Sequence, residues 1–149
     1  MINRIRQLFA AAPGGAVLAK GDELRLASAS LLVEAASMDG DFGEAERAAI
    51  ARLLTERFAL SPDEVDTLIA EAVEAINESG QLYGFTRVLA DRYDAAERIS
   101  MIEMLWEVAI ADGQIDHFES NLIRRVGGLL FVSDRDRGLA KQRVMARLA

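Results

Sequence analysis

Six carboxylates fall into two sets with one spacing: Glu34, Asp39 and Glu46, then Glu107, Asp112 and Glu119, each 73 residues after its counterpart. Oxygen-only sets of this kind suit hard divalent cations: Ca²⁺ takes about six to eight oxygen ligands, while Mg²⁺ takes about six and keeps several waters. Asp41 and Asp116 are further acids in the same two stretches. The pattern is not an EF-hand, because position six counted from Asp39 is Glu44 rather than glycine and position twelve is Ile50 rather than glutamate. The same residues have a second reading without metal. Arg52 and Arg125 recur at the same offset, and a helical hairpin could return each guanidinium to the opposing glutamate. Glu46 and Glu119 stand three residues after a plausible N-cap, where a glutamate closes a capping box. The partner decides between the readings, since a carboxylate buried in an apolar helix costs several kcal/mol unless it is paired or takes up a proton. Glu34 is the only charge between Leu26 and Met38, and Glu107 shares the stretch from Ile99 to Ala111 with Glu103 alone.

These acids belong to a longer internal match. Leu31–Leu54 aligns on Met104–Gly127 without a gap, and eight of the 24 pairs are identical: Leu32/Leu105, Glu34/Glu107, Ala36/Ala109, Asp39/Asp112, Gly40/Gly113, Glu46/Glu119, Ile50/Ile123 and Arg52/Arg125. Each copy reads as helix, tight Asp-Gly turn, helix, and two such hairpins can share one core about a pseudo-twofold axis. Gly40 and Gly113 suit the C′ position of a helix, where positive φ is cheap only without a Cβ. The carboxylates of Asp39 and Asp112, at the negative end of a helix dipole, call for a positive neighbour.

The elements that would position them are all helical. Periodicity predicts helices near 22–38, 44–58, 62–78, 84–92, 95–111, 117–130 and 134–148, with no strand alternation, hence an all-α bundle. Ser61-Pro62-Asp63-Glu64, Asp94-Ala95-Ala96-Glu97 and Asp116-His117-Phe118-Glu119 carry cap-to-glutamate spacing, and Ser133 with Asp134 opens the last helix. In the third helix Val65, Leu68, Ile69, Ala72, Val73 and Ile76 form an apolar stripe, which leaves Asp66, Glu71, Glu74 and Glu78 largely on the wet side. A short N-terminal helix, with Ile2, Ile5, Leu8 and Phe9 on one face, and a Pro13-Gly14-Gly15 linker occupy residues 1–20, ahead of a domain at 21–149. That face reads as docked on the body, with weak membrane-surface contact as the alternative.

Composition removes several function classes. The chain has 149 residues, no cysteine and one histidine, so thiolate zinc sites, disulfides, cysteine nucleophiles and multi-histidine metal cages are out. A net charge of −7 argues against nucleic-acid binding. No apolar run reaches the ~20 residues that span a bilayer, and the N-terminus makes a poor signal peptide, so the expected compartment is the cytoplasm. His117 reads as a solvated first-turn residue, Trp106 as core, and Gly127-Gly128 as close helix packing or an early helix end. Arg124, Arg125, Arg135, Arg137, Lys141, Arg143 and Arg147 make the C-terminal third basic, a solvated face open to a partner. A hydrolase using paired glutamates would lack a nucleophile motif.

The duplicated Ala-x-x-Asp-Gly-x-(Ile/Phe)-x-x-x-Glu turn, at Ala36–Glu46 and Ala109–Glu119, resembles the tellurite-resistance TerB family and TerB-like domains such as the N-terminal cytosolic part of the DjlA co-chaperone. The resemblance runs from about Asp22 to the C-terminus. It implies a seven-helix cytoplasmic fold with pseudo-twofold symmetry and an acidic metal site at Glu34, Asp39, Glu46, Glu107, Asp112 and Glu119. It also implies work within protein complexes, sometimes near the membrane, in resistance to tellurite and related stress. The first copy departs by placing Gly43 where the second has Asp116, which weakens that cap. Capture or reduction of tellurite would call for thiols or a redox cofactor, so with no cysteine the implied role is indirect and not enzymatic.

Overall fold

The computed structural model describes residues 20–37, 42–79, 82–111, 113 and 117–148. The expected N-terminal helix and its linker, the turn residues Asp39, Gly40, Asp41, Asp112 and Asp116, and the side chain of His117 lie outside the described residues. Within them are seven helices and no strand: α1 (Lys20–Ala36), α2 (Glu44–Phe58), α3 (Pro62–Ser79), α4 (Leu82–Arg92), α5 (Ala95–Ala109), α6 (His117–Leu129) and α7 (Asp134–Leu148).

The helix starts are set by local chemistry. Ser61 Oγ accepts from the Glu64 N–H at 3.2 Å while Glu64 Oε1 accepts from the Ser61 N–H at 2.9 Å, a reciprocal box that holds the Glu64 carboxyl below its ordinary pKa. Asp94 and Glu97 close the same box at 2.8 and 2.9 Å. At α2 the cap is Gly43, which has no side chain to offer, so only the return half exists: Glu46 Oε1 accepts from the Gly43 N–H at 3.1 Å.

The ends differ in mechanism. α5 stops at Ala109, two residues short of the expected Ala111, because the Ala111 N–H turns back to Val108 and the Gly113 N–H to Ile110. Gly113 has φ of 88°, so its glycine is required, but it serves this tight turn rather than the C′ position. Gly127-Gly128 does not end α6 early. The helix continues to Leu129, and the Val132 N–H reaches back to the Gly127 carbonyl at 2.8 Å while Phe131 reaches Gly128 at 3.2 Å. That is a Schellman pattern with Phe131, at φ 59°, in the left-handed position that glycine usually fills.

α1 is the central helix. Leu26, Ala27, Ala29, Leu31, Leu32, Val33, Ala35 and Ala36 are all buried, and α2, α3, α4, α5 and α6 pack around it. Its alanines and serines let neighbours approach closely, and each buried leucine contributes roughly 1.5–3 kcal/mol. Ser28, within this helix, shares a 2.9 Å hydrogen bond with the Tyr93 hydroxyl. α5 packs against α1, α2, α6 and α7, and α6 against α1, α4, α5 and α7. The two hairpins are packed in parallel fashion. α1 lies on α2 and α3 as α5 lies on α6 and α7, and α2 meets α5 as α6 meets α1; α4 has no counterpart. Trp106 is core, as its stripe predicts. Glu71 is a correction: it is buried rather than on the wet side, because α3 packs so broadly on α1 that its flank is covered beside Asp22 and Arg25.

Candidate functional site

The second-copy glutamate sits at a crossing of three helices. Arg52 Nη2 on α2 donates to Glu107 Oε1 at 3.0 Å, and Arg147 Nη2 on α7 donates to Glu107 Oε2 at 3.2 Å. Both carboxylate oxygens therefore face a guanidinium. The Glu107 side chain is only 8% exposed, while Arg52 and Arg147 keep 49% and 47% of theirs, so the negative member is desolvated and the positive members reach in from water. That asymmetry is favourable, since arginine covers apolar surface with its stem and keeps its head hydrated. Hydrogen bonds to Glu107 and Glu103 respectively lead the causes that raise the Arg52 and Arg147 pKa values further above ordinary arginine.

The arrangement extends on both sides. Arg147 also donates to Glu103 Oε1 at 3.1 Å, Arg143 donates to Glu103 Oε2, and Arg52 meets Glu56 at 3.4 Å. Three arginines thus alternate with three glutamates along a groove of about 340 Å³ whose walls are α2, α5 and α7. Beside it, the Arg57 guanidinium lies 4.9 Å from the centre of the Tyr93 ring. Arg143 and Arg147, expected on a solvated basic face, are exposed and are also tied into this network.

The counterpart in the first copy is looser. Glu34 is half-buried, and burial pushes its carboxyl above the usual glutamate pKa, with the charge of Arg125 partly opposing that rise. Arg125 acts from a distance, because no ion pair within 4.0 Å joins the two. Arginine and glutamate are therefore exchanged between the hairpins, Arg52 to Glu107 and Arg125 towards Glu34, tightly in one direction and weakly in the other.

Glu46 and Glu119 occupy equivalent places in the first turns of α2 and α6, and their exposures are 5% and 2%. Glu46 is accounted for in part by its bond from the Gly43 backbone. Among the described residues, no three Asp, Glu, His or Cys side chains gather as metal ligands. Asp39 and Asp112 lie outside them, so the full set of six carboxylates is not on view. As placed, Glu107 suits two arginines better than a cation. Arg147 was missed by sequence reasoning because it lies outside the repeat; the Glu103-x-x-x-Glu107 spacing on one helix face was the available signal.

Such a site is an interhelical charge seam in an all-helical domain. Residues 25–142 match the family described as tellurite resistance protein TerB, and the chain belongs to that family. Neither the curated proteins nor the solved structures yield a match.

Proposed function

We propose that this chain is a non-enzymatic helical scaffold that acts through contacts with other proteins, in the cytoplasm, within resistance to tellurite or related stress. The double arginine hold on Glu107 carries the reading. A buried carboxylate whose two oxygens each meet a guanidinium joins the helices that carry them and holds its charge in a structural pairing. The parallel packing of the hairpins α1–α2 and α5–α6 supports descent from one duplicated unit.

A second reading gives the turns a divalent cation, Ca²⁺ or Mg²⁺, held by Asp39, Asp112 and the first-turn glutamates, which would set the geometry of the interaction surface. The burial of Glu46 and Glu119 at equivalent places favours it. Thermal melting in millimolar Ca²⁺ or Mg²⁺ separates the two. Under the scaffold reading the melting temperature does not move. Under the cation reading it rises, since a ligand at about 100 times its Kd adds roughly 2.7 kcal/mol, and Asp39→Asn combined with Asp112→Asn abolishes the rise. A rise that these substitutions remove replaces the first reading by the second.

A further inference from the structure

Most of the described arginines are committed. Arg25, Arg47, Arg52, Arg92, Arg137, Arg143 and Arg147 pair with carboxylates, Arg57 covers Tyr93, and Arg98 reaches the Leu130 carbonyl. Arg87 on α4, Arg124 on α6 and Arg135 on α7 have no ion pair among the described residues, and Arg125 has none within 4.0 Å. Arg87, Arg124 and Arg125 lie on two helices that pack against each other. Between the helices runs an open groove of about 530 Å³ lined by Tyr83, Asn121, Arg124, Arg125, Gly128 and Leu129.

The lining has a definite chemistry. Tyr83 is 63% exposed, a large aromatic surface left in water. Gly128 and Leu129 form a floor with no charge, and nothing lies within 4 Å of where a Gly128 Cβ would stand. Two guanidinium groups rim that floor, and Arg87 is one helical turn beyond Tyr83 on the exposed side of α4. Arg125 has only its distant link to Glu34, and positive charge without an ion pair among the described residues is conspicuous on a chain of net charge −7. That net charge opposes both nucleic acid and anionic bilayers as occupants, whereas a short segment can be drawn to a local patch within a Debye length. An apolar floor beneath cationic rims fits a segment carrying carboxylates next to an apolar or aromatic anchor.

We propose that the α4–α6 groove is the docking surface for an acidic peptide segment of a partner protein, its carboxylates on Arg124 and Arg125 and an apolar side chain between Tyr83 and Gly128. The proposal rests on the scaffold reading and names its partner class. It concerns side chains other than those of the cation test, so either can fail alone.

The test is fluorescence anisotropy with the full chain and a labelled peptide of about twelve residues in which glutamate alternates with leucine and phenylalanine. Binding is expected, weakening as salt is raised. Arg124→Glu with Tyr83→Ala, and separately Gly128→Met, which fills the floor where a side chain has room, should each raise Kd by about ten-fold or more. Circular dichroism melts confirm that each variant folds. Amide NMR shifts on adding peptide should cluster on α4 and α6. The proposal is overturned if the acidic peptide does not bind, if a lysine-for-glutamate peptide binds equally well, or if the variants bind as the parent does. Retention on phosphatidylserine vesicles that exceeds peptide binding overturns it as well.

Discussion

Removing both arginines from Glu107 should cost more than the sum of removing each. The single change Arg52→Ala breaks a 3.0 Å charged hydrogen bond to a carboxylate that is 8% exposed, but leaves Arg147 on the other oxygen. A hydrogen bond to a charged group is worth about 1.5–3 kcal/mol, and an exposed ion pair about 0–1 kcal/mol. With one member buried and the other half in water, about 1–2 kcal/mol is expected for Arg52→Ala and about 1 kcal/mol for the longer Arg147 contact. In the double variant Glu107 stays buried with no counter-charge, so the loss should exceed the sum by at least about 0.5 kcal/mol. Glu107→Leu strands only solvent-reaching arginines and should cost less than about 1.5 kcal/mol. Urea unfolding at constant m value reads these differences as shifts in midpoint. Strictly additive single changes, or a Glu107→Leu variant weaker than the double arginine variant, would refute the structural role assigned to this seam.

Two further outcomes follow from local features. The folded-state pKa of Glu34 is raised above its ordinary 4.5, so the native state holds the extra proton in the window above that value. Stability contributed by Glu34 is thus full at lower pH and is lost as pH rises through the folded pKa. Glu34→Gln should flatten that part of the profile and raise the melting temperature modestly near neutrality; a variant whose melting curve tracks the parent at every pH removes the assignment. Phe131→Gly should stabilise the fold by up to about 1 kcal/mol, since the left-handed penalty of roughly 1–2 kcal/mol outweighs the added freedom of the unfolded chain. Phe131 is 79% exposed, so little burial is forfeited, and a drop in melting temperature would show that its ring is anchored.

Much of the fold was legible because the signals are local. Ser61 with Glu64 and Asp94 with Glu97 announce helix starts through side chains that bond only a few residues away. The repeat made the Arg52–Glu107 meeting legible, since two copies of one hairpin must face each other to bury their apolar sides. Tertiary packing fixed the rest. Arg147 joins Glu107 only because α7 lies along α5, and no spacing within either helix reports that. Glu71 falls on the polar side of its helix by period, yet α1 covers it. The end of α6 at Leu129 falls within one residue of its expected place, but Gly127-Gly128 left open an early stop, and no spacing announced that the left-handed residue would be Phe131.

Trp106 is the sole tryptophan, enclosed in α5, with the Lys141 ammonium of α7 resting 5.0 Å from its ring centre. A lone enclosed indole beneath a cation is a built-in optical gauge of the distance between those two helices. Its emission colour and intensity can therefore report, without any label, whether an event at one end of the molecule loosens the last helix at the other.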